Sequence, residues 1–303
     1  MRKVFVLLLM FFASLNTIRA CEICGCGVGN YYIGLLPQFN HHFIGLRYHY
    51  NKFKTRLVND PTQFSNDLYQ TLELWGGWNI GKRFQVLAIV PYNINHQTSD
   101  EGVTKLNGIG DAMALVNYKL LDVNSKTGNH GNVSQQLWIG AGLKFSTGKF
   151  DIDVNDPDIA SSANVQLGSG STDVLLSSMY NVRVNKVGIN TSATYKINST
   201  NKDDYRFGNK LSIGSIIYYS INSSVVTISP NAGLQYERTE GSELTGSKID
   251  LTGGSLLQGS FGAEASFKKI AVGFNMQLPI GQNFAEDQTH QKVKGMVHVS
   301  FAF

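Results

Sequence analysis

Val293-Lys294-Gly295-Met296-Val297-His298-Val299-Ser300-Phe301-Ala302-Phe303 is the last stretch of the chain. Val293, Val297, Val299, Phe301 and Phe303 fall on one face, and Lys294, His298 and Ser300 on the other. A period of two with one oily face is a half-buried strand. Whether that face meets a protein core or lipid is decided only by comparing all such strands.

The same alternation marks twelve stretches: 42–50, 67–80, 83–95, 108–121, 135–146, 171–181, 186–197, 208–220, 224–238, 255–268, 269–279 and 293–303. Their connections alternate in length. Gly81-Lys82, residues 182–185, Ile221-Asn222-Ser223 and Lys268-Lys269 are tight, whereas 51–66, 96–107, 147–170, 198–207, 239–254 and 280–292 are long and polar. Residues 122–134 are the exception, a medium-length connection where a short one is expected. An even strand count with short turns at one end and long loops at the other predicts an all-β fold. It is a closed antiparallel transmembrane β-barrel of about twelve strands, with short periplasmic turns, long extracellular loops and both termini in the periplasm.

The faces support lipid rather than a soluble core. One face carries Ile44, Leu46 and Tyr48, then Leu72, Leu74, Trp78 and Ile80, then Phe84, Val86, Val90 and Tyr92, and so on to Val272, Phe274 and Leu278. No Asp, Glu, Lys or Arg stands in register with them. A lysine on the lipid side at mid-depth costs about 2–4 kcal/mol, which accounts for that absence. Tyr48, Trp78, Phe84, Tyr92, Tyr118, Tyr180, Tyr195, Tyr219, Tyr236 and Phe267 fall near strand ends, where two interfacial girdles are expected. An open sheet edge in hydrocarbon would leave its N–H and C=O groups unpaired, so closure is required.

The opposite faces carry Arg47, His49, Glu73, Asp111, Lys119, Lys144, Asp173, Lys196, Lys210, Glu237, Glu264, Lys294 and His298. Arg47, Lys144, Lys196 and Lys294 against Glu73, Asp111, Asp173 and Glu264 are the candidate lumen-lining residues. Mixed signs would set a local field rather than select one charge. Twelve strands enclose a lumen between those of filled small barrels and open porins.

Residues 1–20 read as a signal peptide, with Arg2 and Lys3 before an apolar run from Val4 to Leu15 and a cleavage site at Ile18-Arg19-Ala20. The run is too short for a transmembrane helix. The expected organisation is therefore a leader (1–20), a Cys-bearing segment or periplasmic plug (21–40) and the barrel (41–303). The net charge of +4 is spread through turns, which gives no support to nucleic-acid binding.

Gly108-Ile109-Gly110-Asp111 and Gly168-Ser169-Gly170-Ser171-Thr172-Asp173 each open a strand after a long loop. Val90-Pro91-Tyr92, Leu143-Lys144-Phe145-Ser146-Thr147-Gly148 and Leu278-Pro279-Ile280-Gly281 each close one. This pattern resembles the outer-membrane channel family named for the MetA pathway of phenol degradation, over most of residues 70–303. The resemblance implies an outer-membrane barrel that passes small, often aromatic or hydrophobic, solutes. Ser146 departs from the family pattern, which often has proline before Thr-Gly. Read without the family, the glycines permit a bend from loop into tilted strand, and the proline removes a donor where pairing ends.

Cys21-Glu22-Ile23-Cys24-Gly25-Cys26 holds every cysteine of the chain. Cys21, Cys24 and Cys26 could hold Cu(I) or Zn²⁺. Alternatively, two could pair in an oxidising compartment, or Cys21 could carry lipid. His41 or His42 could complete a metal site. The apolar run from Val28 to Pro37 suits a plug at the periplasmic mouth.

No Gly-x-Ser-x-Gly or His-Glu-x-x-His is present, and His96, His130 and His290 fall in connections, so an enzyme is not expected. The reading is a monomeric outer-membrane channel for small solutes, with lipid and solute as its only partners and no required cofactor. The alternative is a metal-handling envelope barrel.

Overall fold

A computed structural model describes residues 41–56, 62–100, 102–127, 131–156 and 158–303. In chain order the strands are β1 (Phe43–Arg56), β2 (Phe64–Ile80), β3 (Phe84–Ser99), β4 (Gly102–Ile109), β5 (Met113–Thr127) and β6 (Gly131–Lys144). After a short helix at Ile159–Asn164 come β7 (Asp173–Val184), β8 (Val187–Ile197), β9 (Tyr205–Arg206), β10 (Lys210–Tyr219), β11 (Ile221–Asn222) and β12 (Thr227–Thr239). The last are β13 (Glu243–Leu244), β14 (Ser247–Lys248), β15 (Gly254–Phe267), β16 (Ile270–Phe284) and β17 (Thr289–Ala302). The long strands β1, β2, β3, β5, β6, β7, β8, β10, β12, β15, β16 and β17 pair antiparallel in that order. The stretch from Val293 to the C-terminus closes the ring on β1, with Ile44 opposite Phe301, Leu46 opposite Val299 and Arg47 opposite His298. Phe303 N–H donates to His42 O at 3.0 Å, extending the seam to the rim.

The exterior is the oily face. Leu46, Leu74, Val116, Ile139, Leu176, Ile217, Leu234, Phe274 and Val299 are exposed around the wall, while the ionic residues of the same strands are turned inward. No helix among the described residues is long and apolar enough to cross a membrane, and the crossing is made by strands. At the short-turn end Trp78 meets Phe303 edge-on at 6.4 Å, and Phe84 lies 5.0 Å from Tyr118. The Tyr118 hydroxyl accepts from Arg83 Nη1 at 2.9 Å, the arrangement of a ring that is apolar on one side and wet on the other.

Short turns follow from residues that accept positive φ. Asn185 and Lys268 adopt φ of 54° and 49° in two-residue hairpin turns, and Gly81 adopts 64° between β2 and β3. The medium connection expected at 122–134 is instead strand for most of its length, since β5 runs to Thr127 and β6 starts at Gly131. Likewise 96–107 and 280–292 are mainly ladder, not loop. Polar residues there project beyond the lipid, where neither face need be oily, so the pairing continues while the alternation stops. His96 and His290 accordingly lie in strands, next to the inward-facing Gln97 and Gln291, and not in connections.

Candidate functional site

Inside the ring the expectation of an ionic lumen holds only in part. Phe43, Trp75, Leu87, Ile89, Met113, Leu115, Trp138, Leu175 and Ala302 also face inward and pack into one buried cluster. The outward alternation hides them, because Trp75 and Leu87 are flanked by residues that are themselves apolar or small. A lumen too narrow for a water column must fill itself with side chains, and apolar ones cost least to bury. Phe43 meets Trp75 edge-on at 4.8 Å.

Arg47 lies over the Trp75 ring, its guanidinium carbon 4.3 Å from the centroid. Its Nε and Nη2 each reach Glu73 Oε2 at 2.8 Å, and His49 Nε2 approaches the same oxygen at 3.1 Å. A planar guanidinium can pair along its edge while its face covers the ring. Beside this group the lumen narrows to a cavity of about 30 Å³ lined by Arg47, Trp75, Leu115, Asn117 and Trp138 among others. That is room for about one water molecule. Trp75 Nε1 and Asn117 Nδ2 are buried here with no hydrogen-bond partner among the described residues. An unpaired buried donor costs about 1–3 kcal/mol, so this level is poised to accept an oxygen.

Further charges continue around the wall in small groups. Glu237 takes Lys210 at 2.5 Å and Lys294 at 3.4 Å, bridging β10, β12 and β17. Glu264 and His298 approach to 3.2 Å, with the His298 ring edge-on to Trp75 at 6.1 Å. Lys119 stands 4.8 Å over the Trp138 ring and reaches Asp122 at 2.9 Å. Lys196 is buried on β8, one residue before the strand ends.

The long-loop half of the lumen is occupied by the chain itself. Residues 145–156 and 158–172 fold inward, and three amides in register on β3 hold them. Asn93 Nδ2 donates to Leu167 O at 2.8 Å, Asn95 Nδ2 to Val165 O at 2.8 Å, and Gln97 Nε2 to Ser161 Oγ at 3.0 Å. The second tether is ionic. Lys144 Nζ lies 2.6 Å from Asp111 and 2.8 Å from Asp173, and it also donates to Ser169 Oγ. Asp111 then accepts the backbone N–H of Gly148 at 3.0 Å and of Ser169 at 2.8 Å, pinning both arms of the loop. A built Cβ at Gly168 would stand 2.7 Å from Gly148 Cα, so only glycine lets the arms cross there.

Three motifs separated in sequence thus form one network. Thr147 adds the repair of a gap in the wall. Between β4 and β5 the ladder breaks, and Thr147 Oγ1 accepts from Ala112 N–H at 2.8 Å and donates to Gly110 O at 2.7 Å. Over the top, Phe150, Ile159, Ala163, Tyr205 and Phe207 pack the neighbouring loops into a small apolar cap. On its flank Arg206 Nε donates to Glu243 at 3.2 Å, and that hydrogen bond holds the Glu243 carboxyl below the usual carboxylate range.

All eight candidate lumen-lining residues therefore point inward, but Asp111, Lys144 and Asp173 are spent on anchoring the loop. Sequence periodicity placed their side and could not place their partners. Nothing in the alternation marks the amide ladder Asn93, Asn95 and Gln97, because uncharged residues on an inward face look like ordinary lumen. Cys21, Cys24 and Cys26 lie outside the described residues. Among the described residues no group of three or more His, Cys, Asp or Glu could hold a metal ion.

No family model matches the chain, and no curated protein is similar to it. Among solved structures, the COG4313 outer membrane channel from Pseudomonas putida F1 matches with a TM-score of 0.63 at 14% identity, over 91% of this chain and 100% of that one. The beta domain of the Bordetella autotransporter BrkA matches with a TM-score of 0.52 at 11% identity, over 87% and 100%. At such identities the likeness is one of fold, the closed outer-membrane type of barrel.

Proposed function

We propose that this chain is an outer-membrane channel for small solutes, with both termini at the periplasmic rim, and that it passes its solute through a normally narrow lumen. The observation that carries this reading is the water-sized gap beside Arg47, where buried donors without partners stand among aromatic rings. A purely structural interior would gain by pairing or replacing such donors. Similarity in fold to a protein described as an outer membrane channel supports the same reading. The aromatic and aliphatic wall favours solutes with an apolar body and an oxygen acceptor, which includes phenols.

Conductance in planar bilayers tests it. The natural chain should conduct weakly, and Trp75→Ala with Trp138→Ala should raise conductance several-fold, since each truncation opens on the order of 100 Å³ in a packed lumen. Liposome swelling with phenols, sugars and amino acids then ranks solutes. Silence of both proteins, with the barrel folded, would sink the channel. The Cys-x-x-Cys-x-Cys at Cys21, Cys24 and Cys26 favours a second reading, metal handling with Cu(I) or Zn²⁺ held at the barrel's mouth. The metal content of the purified chain, set against a variant with all three replaced by Ser, decides that reading: equal content in both removes it.

A further inference from the structure

The outward face of the wall carries cations that the lumen does not use. On β1 to β4 the pairing runs on toward the long loops past the row Tyr48, Leu72, Tyr92 and Ile109. A row higher up sets Lys52, Leu68, His96 and Lys105 in register, and Lys54 follows Lys52 on β1 opposite Asn66. Arg56 stands beyond Lys54 opposite Phe64, and Lys292 is exposed at the bulge between β1 and β17. Between the cations and the Tyr48 row lie Tyr50, Gln70 and Asn107, which are polar and uncharged.

Water alone would admit either sign at this height, yet this face has one. No Asp or Glu shares the outward register of β17 or of β1 to β4. Asp100, Glu286 and Asp287 sit in the turns above. Nor does the pattern run round the whole rim. At the same end of β6, β7, β8 and β10 the last outward residues are Leu143, Val174, Ile197 and Leu211, with Arg238 beside Leu211 on β12. Directly below the cations the wall is apolar and exposed, at Leu72, Leu74 and Val90.

We propose that this sector binds an acylated glycolipid of the outer leaflet that carries two phosphates on one sugar headgroup. The phosphates meet Lys52, Lys54 and Lys105, the sugars lie over Tyr50 and Asn107, and the acyl chains run down past Leu72 and Leu74. Lys52 and Lys54 are about 7 Å apart along their strand, and Lys52 and Lys105 about 14 Å apart across three strand spacings, a span that suits two phosphates better than one. Charge-assisted bonds to phosphate are strong, and cations at headgroup level also draw anionic lipid by field. Continuity with the oily wall selects a lipid over a soluble anion, which would gain nothing from the residues below. The inference rests on the proposed placement of the long loops outside the cell, and not on conduction.

Native mass spectrometry of the full chain in detergent tests it. The probe is bis-phosphorylated lipid A, set against the same lipid stripped of phosphate and against phosphatidylglycerol. The phosphorylated glycolipid should bind at least about tenfold more tightly than either. Lys105→Ser should weaken it several-fold, and the triple variant Lys52→Ser, Lys54→Ser and Lys105→Ser by more, while Arg238→Ser elsewhere on the rim changes nothing. Unchanged heat-modifiable gel mobility, and unchanged binding of the phosphate-free lipid, separate loss of the site from loss of the fold. Equal affinity for the phosphorylated and phosphate-free lipids overturns the proposal. So does equal affinity for phosphatidylglycerol, displacement of the lipid by inorganic phosphate, or an equal loss in Arg238→Ser. Because the titration needs no conduction, a silent barrel that binds the glycolipid and a conducting barrel that does not are distinguishable results.

Discussion

Replacing Lys144 with Met is expected to release the 145–172 loop from the lumen. The lysine is almost fully buried between Asp111 and Asp173, at 2.6 and 2.8 Å, and these carboxylates would face each other without their shared cation. Breaking a buried pair from one side costs about 3–5 kcal/mol. The barrel wall does not depend on this group, since β5, β6 and β7 are paired along their lengths by backbone hydrogen bonds. The loss should therefore fall on the loop, whose arms Asp111 holds through the Gly148 and Ser169 amides. Limited proteolysis should gain cuts between residues 149 and 166, and bilayer conductance should rise, while the folded barrel keeps its gel mobility. Adding Asp111→Asn and Asp173→Asn to Lys144→Met removes the stranded charges and should recover part of the protection. A loop that stays resistant in the single variant would show that the β3 amides hold it unaided.

Leu74→Lys should destabilise the barrel by about 2–4 kcal/mol, the cost of a lysine at the lipid mid-plane. Leu74 is 49% exposed on the outer wall, opposite Leu46 on β1 and Val90 on β3, and lies between the Trp78 and Tyr48 levels. Ile280→Lys is the control. Ile280 is also outward and exposed, but it stands near the long-loop end of β16, where the cost should fall to about 0–1 kcal/mol. Urea unfolding in lipid vesicles reads both. Equal costs at the two positions would mean that the oily belt is not at the depth assigned to it.

The inward face combines two kinds of closure that serve different ends. Near the short-turn rim, the apolar cluster around Trp75 and Trp138 shuts the lumen by packing alone, and Arg47 is held in it by Glu73 and by the ring it covers. Toward the long loops, closure is made by backbone, tied with amides and one ion network. Packed side chains reopen by rotamer change, whereas a tethered loop moves only when several bonds break together. Solute passage would then meet a fast constriction and a slow one in series.

How much of this was legible in the chain depends on what imposed each feature. Lipid acts on every residue that touches it, so the outward period of two, the absence of charge in register with Leu74 or Phe274, and the inward side of Arg47, Glu73 and Lys144 are all written locally. The closed twelve-strand barrel follows from that pattern because open edges cannot persist in hydrocarbon. Beyond the lipid the same ladders run on through Thr127, Ser99 and Phe284 with no such imprint, since water accepts any residue on either face. The partners of Lys144 are 33 and 29 residues away in opposite directions along the chain and meet it only because β5, β6 and β7 are neighbours in the ring. The inward path of the loop after β6 and the sealing of the lumen by Trp75 and Trp138 are likewise products of closure. Each depends on which strands curve to face one another, and no stretch of sequence carries that by itself.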